Sequence, residues 1–263
     1  MNRVHATSVF SPAVFSLAIC FSVSVVSPAR AEDAPAAPTG PALTGNVTIV
    51  NDYLFRGLSQ TSEDPALQAG AEYGTADGWY VGAWGSNIAW LSDLSTPDAR
   101  ISSSLEIDLY AGWRIPINDA WKLDVGLYTY YYPGDYPRGF TRPYTTEGYV
   151  GVSWSIATLK YSHSFTNAFG FADSKHSDYL DLAVNWEFSP TWVLNAHVGR
   201  QRIKNFGDAD YTDWKLGVTK NFANGFSLAL GYYDTNAKDG VYTNPEGEQL
   251  GRATGVLSLA KAF

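Results

Sequence analysis

Residues 105–114 read LEIDLYAGWR, and their alternation decides the fold. Leu105, Ile107, Leu109, Ala111 and Trp113 fall on one face of an extended chain, and Glu106, Asp108, Tyr110, Gly112 and Arg114 fall on the other, because successive strand side chains point to opposite sides. One face suits oil and the other suits water. The same pattern sets Leu67, Ala69, Ala71 and Tyr73 against Gln68, Gly70, Glu72 and Gly74, and sets Trp121, Leu123, Val125 and Leu127 against Lys122, Asp124 and Gly126. Leu180, Leu182, Val184 and Trp186 oppose Asp181, Asn185 and Glu187, while Trp214, Leu216 and Val218 oppose Asp213, Lys215 and Gly217.

Working outward, twelve such segments follow one another from residue 45 to the end, each roughly 9 to 12 residues long, the length a tilted strand needs to cross a bilayer. A soluble sandwich would show similar strands, so the connections decide between the two. Long polar gaps (57–66, 91–103, 133–144, 166–177, 202–209, 235–250) alternate with short ones (76–78, 115–120, 156–157, 188–191, 222–225). Short turns at one end and long loops at the other are the pattern of outer-membrane barrels. The expectation is an all-β protein: a transmembrane antiparallel β-barrel of about 12 strands, with short periplasmic turns and long extracellular loops.

Independent signals agree. None of the 13 prolines falls within an expected strand, as a closed sheet in lipid requires. Trp79, Trp113, Trp121, Trp154, Trp186 and Trp192 sit beside the short turns, and Tyr53, Tyr128, Tyr130, Tyr132, Tyr232 and Tyr233 gather at the opposite ends; together they suggest two interfacial girdles. The chain closes on a strand ending in Phe263, with Lys261 where an apolar residue would be usual. The parity of 79–90 stays open, because either face suits lipid. Asn51 and His163 are polar residues on apparent lipid faces.

Residues 1–31 read as a cleaved export signal: Arg3 and His5, an apolar stretch from Ala13 to Val26, then small residues at Ala29 and Ala31. Residues 32–44, with Pro35, Pro38 and Pro41, read as a periplasmic leader, and 45–263 as the barrel. The only cysteine, Cys20, would leave with the signal, so no disulfide or thiolate chemistry is expected. Loss of Arg3 and Arg30 leaves 16 basic against 26 acidic residues, a formal charge of −10. Nucleic acid, which needs a basic footprint, is not an expected partner.

By parity, inward faces carry Asp52, Glu72, Glu106, Asp108, Asp124, Glu147, Asp181, Glu187 and Asp213 against Arg56, Arg114, Lys122, Lys160, Lys215 and Arg252. Read as pore-lining, they give a hydrated lumen with a mild excess of carboxylates, which favours cations; read as structure, they form a salt-bridge lattice filling the cylinder. Twelve strands lie between the filled eight-stranded barrel and the open sixteen-stranded one, implying a narrow pore. The loops 133–144 and 235–250 are candidates to fold inward. A lipid-cutting site is disfavoured: His163 faces lipid while Ser162 and Ser164 point the other way, and His176 and His197 are too scattered for a metal site. No catalytic residue, metal or cofactor is expected.

The stretch Asn51-Asp52-Tyr53-Leu54-Phe55-Arg56-Gly57-Leu58-Ser59-Gln60-Thr61, followed by Pro65, Gln68, Tyr73, Gly78-Trp79-Tyr80 and Trp84-Gly85-Ser86-Asn87, resembles the TorF-like porin family of proteobacterial outer-membrane proteins. The resemblance is strongest over the first third of the chain. It implies an outer-membrane barrel with a transport role; Asp52 and Arg56, which share a face in this motif, would pair near the external mouth, either guarding entry or bracing the first loop. The expected function is a porin: passive diffusion of small hydrophilic solutes across the outer membrane of a Gram-negative bacterium. The alternatives are a non-conducting barrel serving as receptor, adhesin or structural element and, less favoured, a lipid-modifying barrel enzyme. Expected partners are outer-membrane lipids, the barrel-insertion machinery and small hydrophilic solutes; a homo-oligomer is compatible with the sequence.

Overall fold

The computed structural model describes residues 41–263. The expected export signal and most of the leader lie outside the described residues.

Twelve strands close into an antiparallel barrel: β1 (Ala42–Val50), β4 (Ala66–Gly74), β5 (Trp79–Asn87), β6 (Leu105–Pro116), β7 (Trp121–Tyr131), β8 (Thr145–Trp154), β9 (Ala157–Ser164), β10 (Asp178–Ser189), β11 (Trp192–Arg202), β12 (Tyr211–Asn221), β13 (Phe226–Thr235) and β14 (Thr254–Ala262). Between β1 and β4 the first long loop carries a small hairpin, β2 (Leu54–Phe55) and β3 (Leu58–Ser59). The last long loop holds one helical turn, α1 (Asp239–Tyr242). Each barrel strand pairs with its chain neighbours, and β14 returns to β1 in the register Val47 to Lys261 and Ile49 to Leu259. Phe263 completes the closure: its N–H donates to Gly45 O and its carbonyl accepts from Gly45 N–H, each at 3.0 Å. Closure leaves none of the twelve barrel strands described with a free edge, which is how a sheet can face lipid.

The outward faces are apolar. Leu67, Leu109, Leu182, Leu216, Leu230 and Leu259 are all exposed, an arrangement that suits hydrocarbon rather than water. The six tryptophans named above are exposed as well, with Trp79 stacked on Trp113 at 5.2 Å and Trp121 on Trp154 at 5.9 Å. These pairs form a belt at the short-turn end.

Several sequence expectations need correction. The barrel begins at Ala42 rather than residue 45, because β4 runs on to Gly74 and offers a ladder to Ala42, Leu43 and Thr44. Pro116 lies within β6, but as its last residue, where a missing N–H is tolerated. The tyrosine girdle does not form as expected: Tyr53, Tyr128, Tyr130 and Tyr132 are buried inside the barrel, and Tyr232 alone of the six is exposed. A phenol can hydrogen-bond to a carboxylate within, so tyrosine is at home on either face. The open parity of β5 resolves with Trp79, Val81 and Ala83 outward and with Tyr80 and Trp84 buried within.

Inward tyrosines lie across inward glycines of neighbouring strands. A Cβ on Gly82 would stand 2.3 Å from the Tyr110 ring, one on Gly126 2.3 Å from the Tyr149 hydroxyl, and one on Gly199 1.9 Å from the Tyr179 hydroxyl. The missing side chains let the rings lie against the wall, the device by which an aromatic covers a strand glycine.

Candidate functional site

β1 ends at Val50, not at Arg56 as continued alternation would have it. Asn51 ends it by substituting its side chain for its carbonyl: its N–H still donates to Leu257 O at 3.2 Å, but Oδ1 accepts from Leu257 N–H at 2.6 Å and Nδ2 donates to Gly255 O at 3.3 Å. A polar residue on the lipid side is thereby satisfied at the rim. Beyond it the chain turns into the barrel. Arg56 and Gly57 have φ of 48° and 78° and occupy the two-residue turn joining Phe55 to Leu58, where left-handed backbone matches hairpin twist.

This hairpin reaches the opposite wall. Arg56 donates from both terminal nitrogens to Glu147 of β8, at 3.1 and 2.6 Å, and to Gln201 Oε1 of β11 at 2.7 Å. Its guanidinium lies 4.2 Å from the Tyr179 ring, 4.9 Å from Phe55 and 5.5 Å from Phe169. A Cβ on Gly57 would meet Thr235 of β13 at 2.5 Å and Asp213 of β12 at 2.7 Å, so only glycine lets the tip lie against that wall. Asp52 does not pair with Arg56: it accepts from Ser59 Oγ at 2.6 Å and Thr61 Oγ1 at 3.4 Å, bracing the loop from within. Burial pushes the Asp52 carboxyl above the usual range against those hydrogen bonds.

The expected inward charges fall into two groups. Asp52, Arg56, Glu106, Asp108, Glu147 and Asp213 lie inside the barrel but are sealed from solvent, none more than 6% exposed; Lys215 is 9% exposed. Tyr132 donates to Glu106 at 3.2 Å and Tyr128 to Asp108 at 2.9 Å. Glu72, Lys122, Asp124, Lys160, Asp181 and Glu187 are partly exposed. Arg114 donates to both oxygens of Glu72, at 2.6 and 2.9 Å, and lies 3.8 Å from Asp124. On the facing wall His197 lies 3.0 Å from Asp181 and 3.2 Å from Asp213. Arg252 is not on an inward face: it sits in the last loop, 61% exposed along its side chain, paired with Glu63.

Sequence reasoning placed His176 apart from His163. The structure brings His176 Nδ1 to 3.0 Å from His163 Nε2, with Asp178 Oδ1 2.7 Å from His163 Nδ1, on the outside of the long-loop rim. Ser162 and Ser164 are buried on the inner side of the same strand. Among the described residues no group of three or more His, Cys, Asp and Glu side chains is arranged to hold a metal ion.

The inward role of loop 51–65 was missed. Its one signal was Arg-Gly between Leu54-Phe55 and Leu58-Ser59, a hairpin cue hidden by apparent strand alternation.

These features define a class: a closed twelve-stranded porin-like barrel, with apolar residues outside, charged residues inside and its first loop folded inward. Within it, the chain belongs to the Gcw_chp family, described as "Bacterial protein of unknown function", whose model matches residues 33–263. The description of that family does not name the TorF-like porins, which residues 51–61 and the positions quoted after them resemble. No curated protein matches the sequence. Among solved structures the chain is similar to the KdgM porin, with a TM-score of 0.54 and 6% identity over 84% of this chain and 98% of that one. It is similar also to the KdgM porin in complex with disordered oligogalacturonate, with a TM-score of 0.52 and 5% identity over 84% and 98% of the two chains. At such identities the likeness concerns the fold.

Proposed function

We propose that the protein is an outer-membrane porin: a passive, narrow channel for small hydrophilic solutes with a mild preference for cations. The observation that carries this reading is the inverted wall, with lipid-compatible side chains outside and ionic side chains within a closed barrel. The fold shared with the KdgM porin and the resemblance of residues 51–61 to TorF-like porins support it. Export through a cleaved signal, residence in the outer membrane of a Gram-negative bacterium, contact with its lipids and insertion machinery, and homo-oligomerisation belong to the same proposal.

In this reading the pore-lining residues are the partly exposed ones: Glu72, Asp124, Asp181 and Glu187 against Arg114, Lys122 and Lys160. Glu72 and Arg114 neutralise each other, leaving carboxylates in slight excess. The fixed field of such a wall favours cations. A polyanion of the kind bound by the KdgM porin is poorly suited to it. The buried charges set the width instead, since Arg56 and Glu147 fix the hairpin across the interior.

One observation favours the competing reading of a non-conducting barrel that displays its loops as receptor, adhesin or structural element: the same hairpin bridges the interior. Bilayer recordings separate the two. Refolded protein under a salt gradient should show discrete steps with a reversal potential of cation-selective sign, and Asp124→Lys with Asp181→Lys should move that potential towards anions. Correctly folded protein that never conducts would overturn the channel.

A further inference from the structure

We propose that the outer vestibule, enclosed by the long loops, is a binding site for an uncharged aromatic molecule. A cavity of about 330 Å³ lies there, a size that accommodates a small organic ligand. Every long connection contributes to its lining: Leu58 from the first, Leu91 from β5–β6, Pro143 from β7–β8, Phe171 from β9–β10, Ile203 from β11–β12 and Tyr242 from β13–β14. Such convergence gives six loops of unrelated sequence one common surface.

The chemistry of that surface selects the ligand. None of the lining side chains is charged. Most of its hydrogen-bonding groups are already committed within the protein: Gln201 donates to Asp178 O at 3.1 Å and accepts from Arg56, Gln60 donates to Leu58 O at 2.9 Å, and Tyr242 donates to Ala209 O at 2.6 Å; the buried Trp90 Nε1–H has no partner among the described residues and can serve a single acceptor. A hydroxyl-rich sugar would lose its water without gaining partners, at a cost for each unpaired group. An aromatic ring asks for no such partners.

Charge is excluded from both sides. The Arg56 guanidinium already lies over Phe55 and Phe169, so a ligand cation stacking on these rings would meet another cation. An anion gains little from Arg56, because Glu147 holds both terminal nitrogens, and it would be desolvated by the remaining walls. What remains attractive is the set of ring faces and edges, with Phe55 and Phe169 already packed edge to face at 5.3 Å.

The walls are formed in advance. Ala168, Ile203 and Ala209 are buried together and pack against Phe169, Phe171, Val241 and Tyr242, and Asn205 Nδ2 donates to Asp173 O at 2.8 Å. A small core between loops spares a ligand the cost of ordering them. The site lies at the long-loop end, away from Ala42 at the opposite end of β1, and its binding does not require the barrel to conduct.

The test uses the barrel refolded in lipid nanodiscs, so that detergent does not fill the cavity, with naphthol, naphthoate and methyl glucoside as probes in calorimetry and saturation-transfer NMR. Naphthol should bind and saturate, naphthoate should bind at least about tenfold more weakly, and methyl glucoside should give no signal. Val241→Asp, which places a carboxylate in the wall, should weaken naphthol by a similar factor while heat-modified gel mobility reports a folded barrel. Phe171→Leu, which keeps bulk and removes a ring, should weaken it less. The proposal is overturned if naphthol fails to bind, if naphthoate binds equally well, if the glucoside binds, or if folded Val241→Asp protein binds naphthol as before. Because binding is read without current, this failure is distinct from a failure to conduct.

Discussion

At the scale of single residues, Arg56 organises the interior. A non-glycine residue in left-handed backbone costs on the order of 1 to 2 kcal/mol, and the two-pronged bond to Glu147 with aromatic faces on either side offsets it. Arg56→Ala leaves Glu147 buried without its cation, and breaking such a pair costs about 3 to 5 kcal/mol. Urea unfolding of protein in vesicles should show a loss of that order, and the freed hairpin should widen the conductance steps. Arg56→Lys should restore little of either, because an ammonium cannot match the carboxylate with two parallel bonds. Asp52 gives the same loop a pH dependence. Its carboxyl sits above the usual range because burial outweighs the hydrogen bonds from Ser59 and Thr61, with Glu63 adding to the rise and Arg252 opposing it. A carboxyl whose pKa is higher in the docked loop takes up a proton on docking, so docking strengthens as pH falls from neutrality towards about 4. Protection factors of amides in residues 51–65, taken relative to the intrinsic exchange rate at each pH, should rise over that range, and Asp52→Asn should flatten the response.

At the scale of elements, the strands were legible because a two-sided wall writes itself as alternation, and the loop lengths then told inside from outside. The same rule misled where a residue satisfies both faces. Tyr128 and Tyr130 suit a lipid interface on composition alone, yet carboxylates at Asp108 and Glu147 draw them inward, Tyr128 donating to Asp108 at 2.9 Å. The end of β1 was illegible for a related reason: Asn51 imitates backbone, and only the positions of Leu257 and Gly255 show it. Asn51→Ala should expose Leu257 N–H to faster exchange at a cost of about 1 kcal/mol. The glycines beneath tyrosine rings had no sequence signal beyond their abundance. Gly126→Ala drives a methyl into the Tyr149 hydroxyl and should destabilise the barrel by about 1 to 3 kcal/mol, measured by unfolding, whereas Gly207→Ala, with open space around it, should be silent.

At the scale of the whole molecule, the barrel separates its two tasks. The wall turns apolar side chains outward with a tryptophan belt at one end, as a lipid-facing surface requires, while the hairpin and the long loops fold over the interior. The charged candidates on the barrel strands were legible by parity as inward, whereas Asp52, Arg56 and Arg252 lie in loops where parity does not apply; which of the inward ones meet water was not legible, since that depends on a loop crossing from the other side of the barrel. Strand β10 offers the most direct test of the inverted wall, because the chain beyond Cys20 contains no cysteine and single cysteines can be placed without background. In membranes, a water-soluble thiol reagent should label cysteines at Asp181, Ala183 and Asn185 and spare those at Leu180, Leu182 and Val184. The reverse alternation, or equal labelling along the strand, would contradict a barrel that keeps lipid outside and water within.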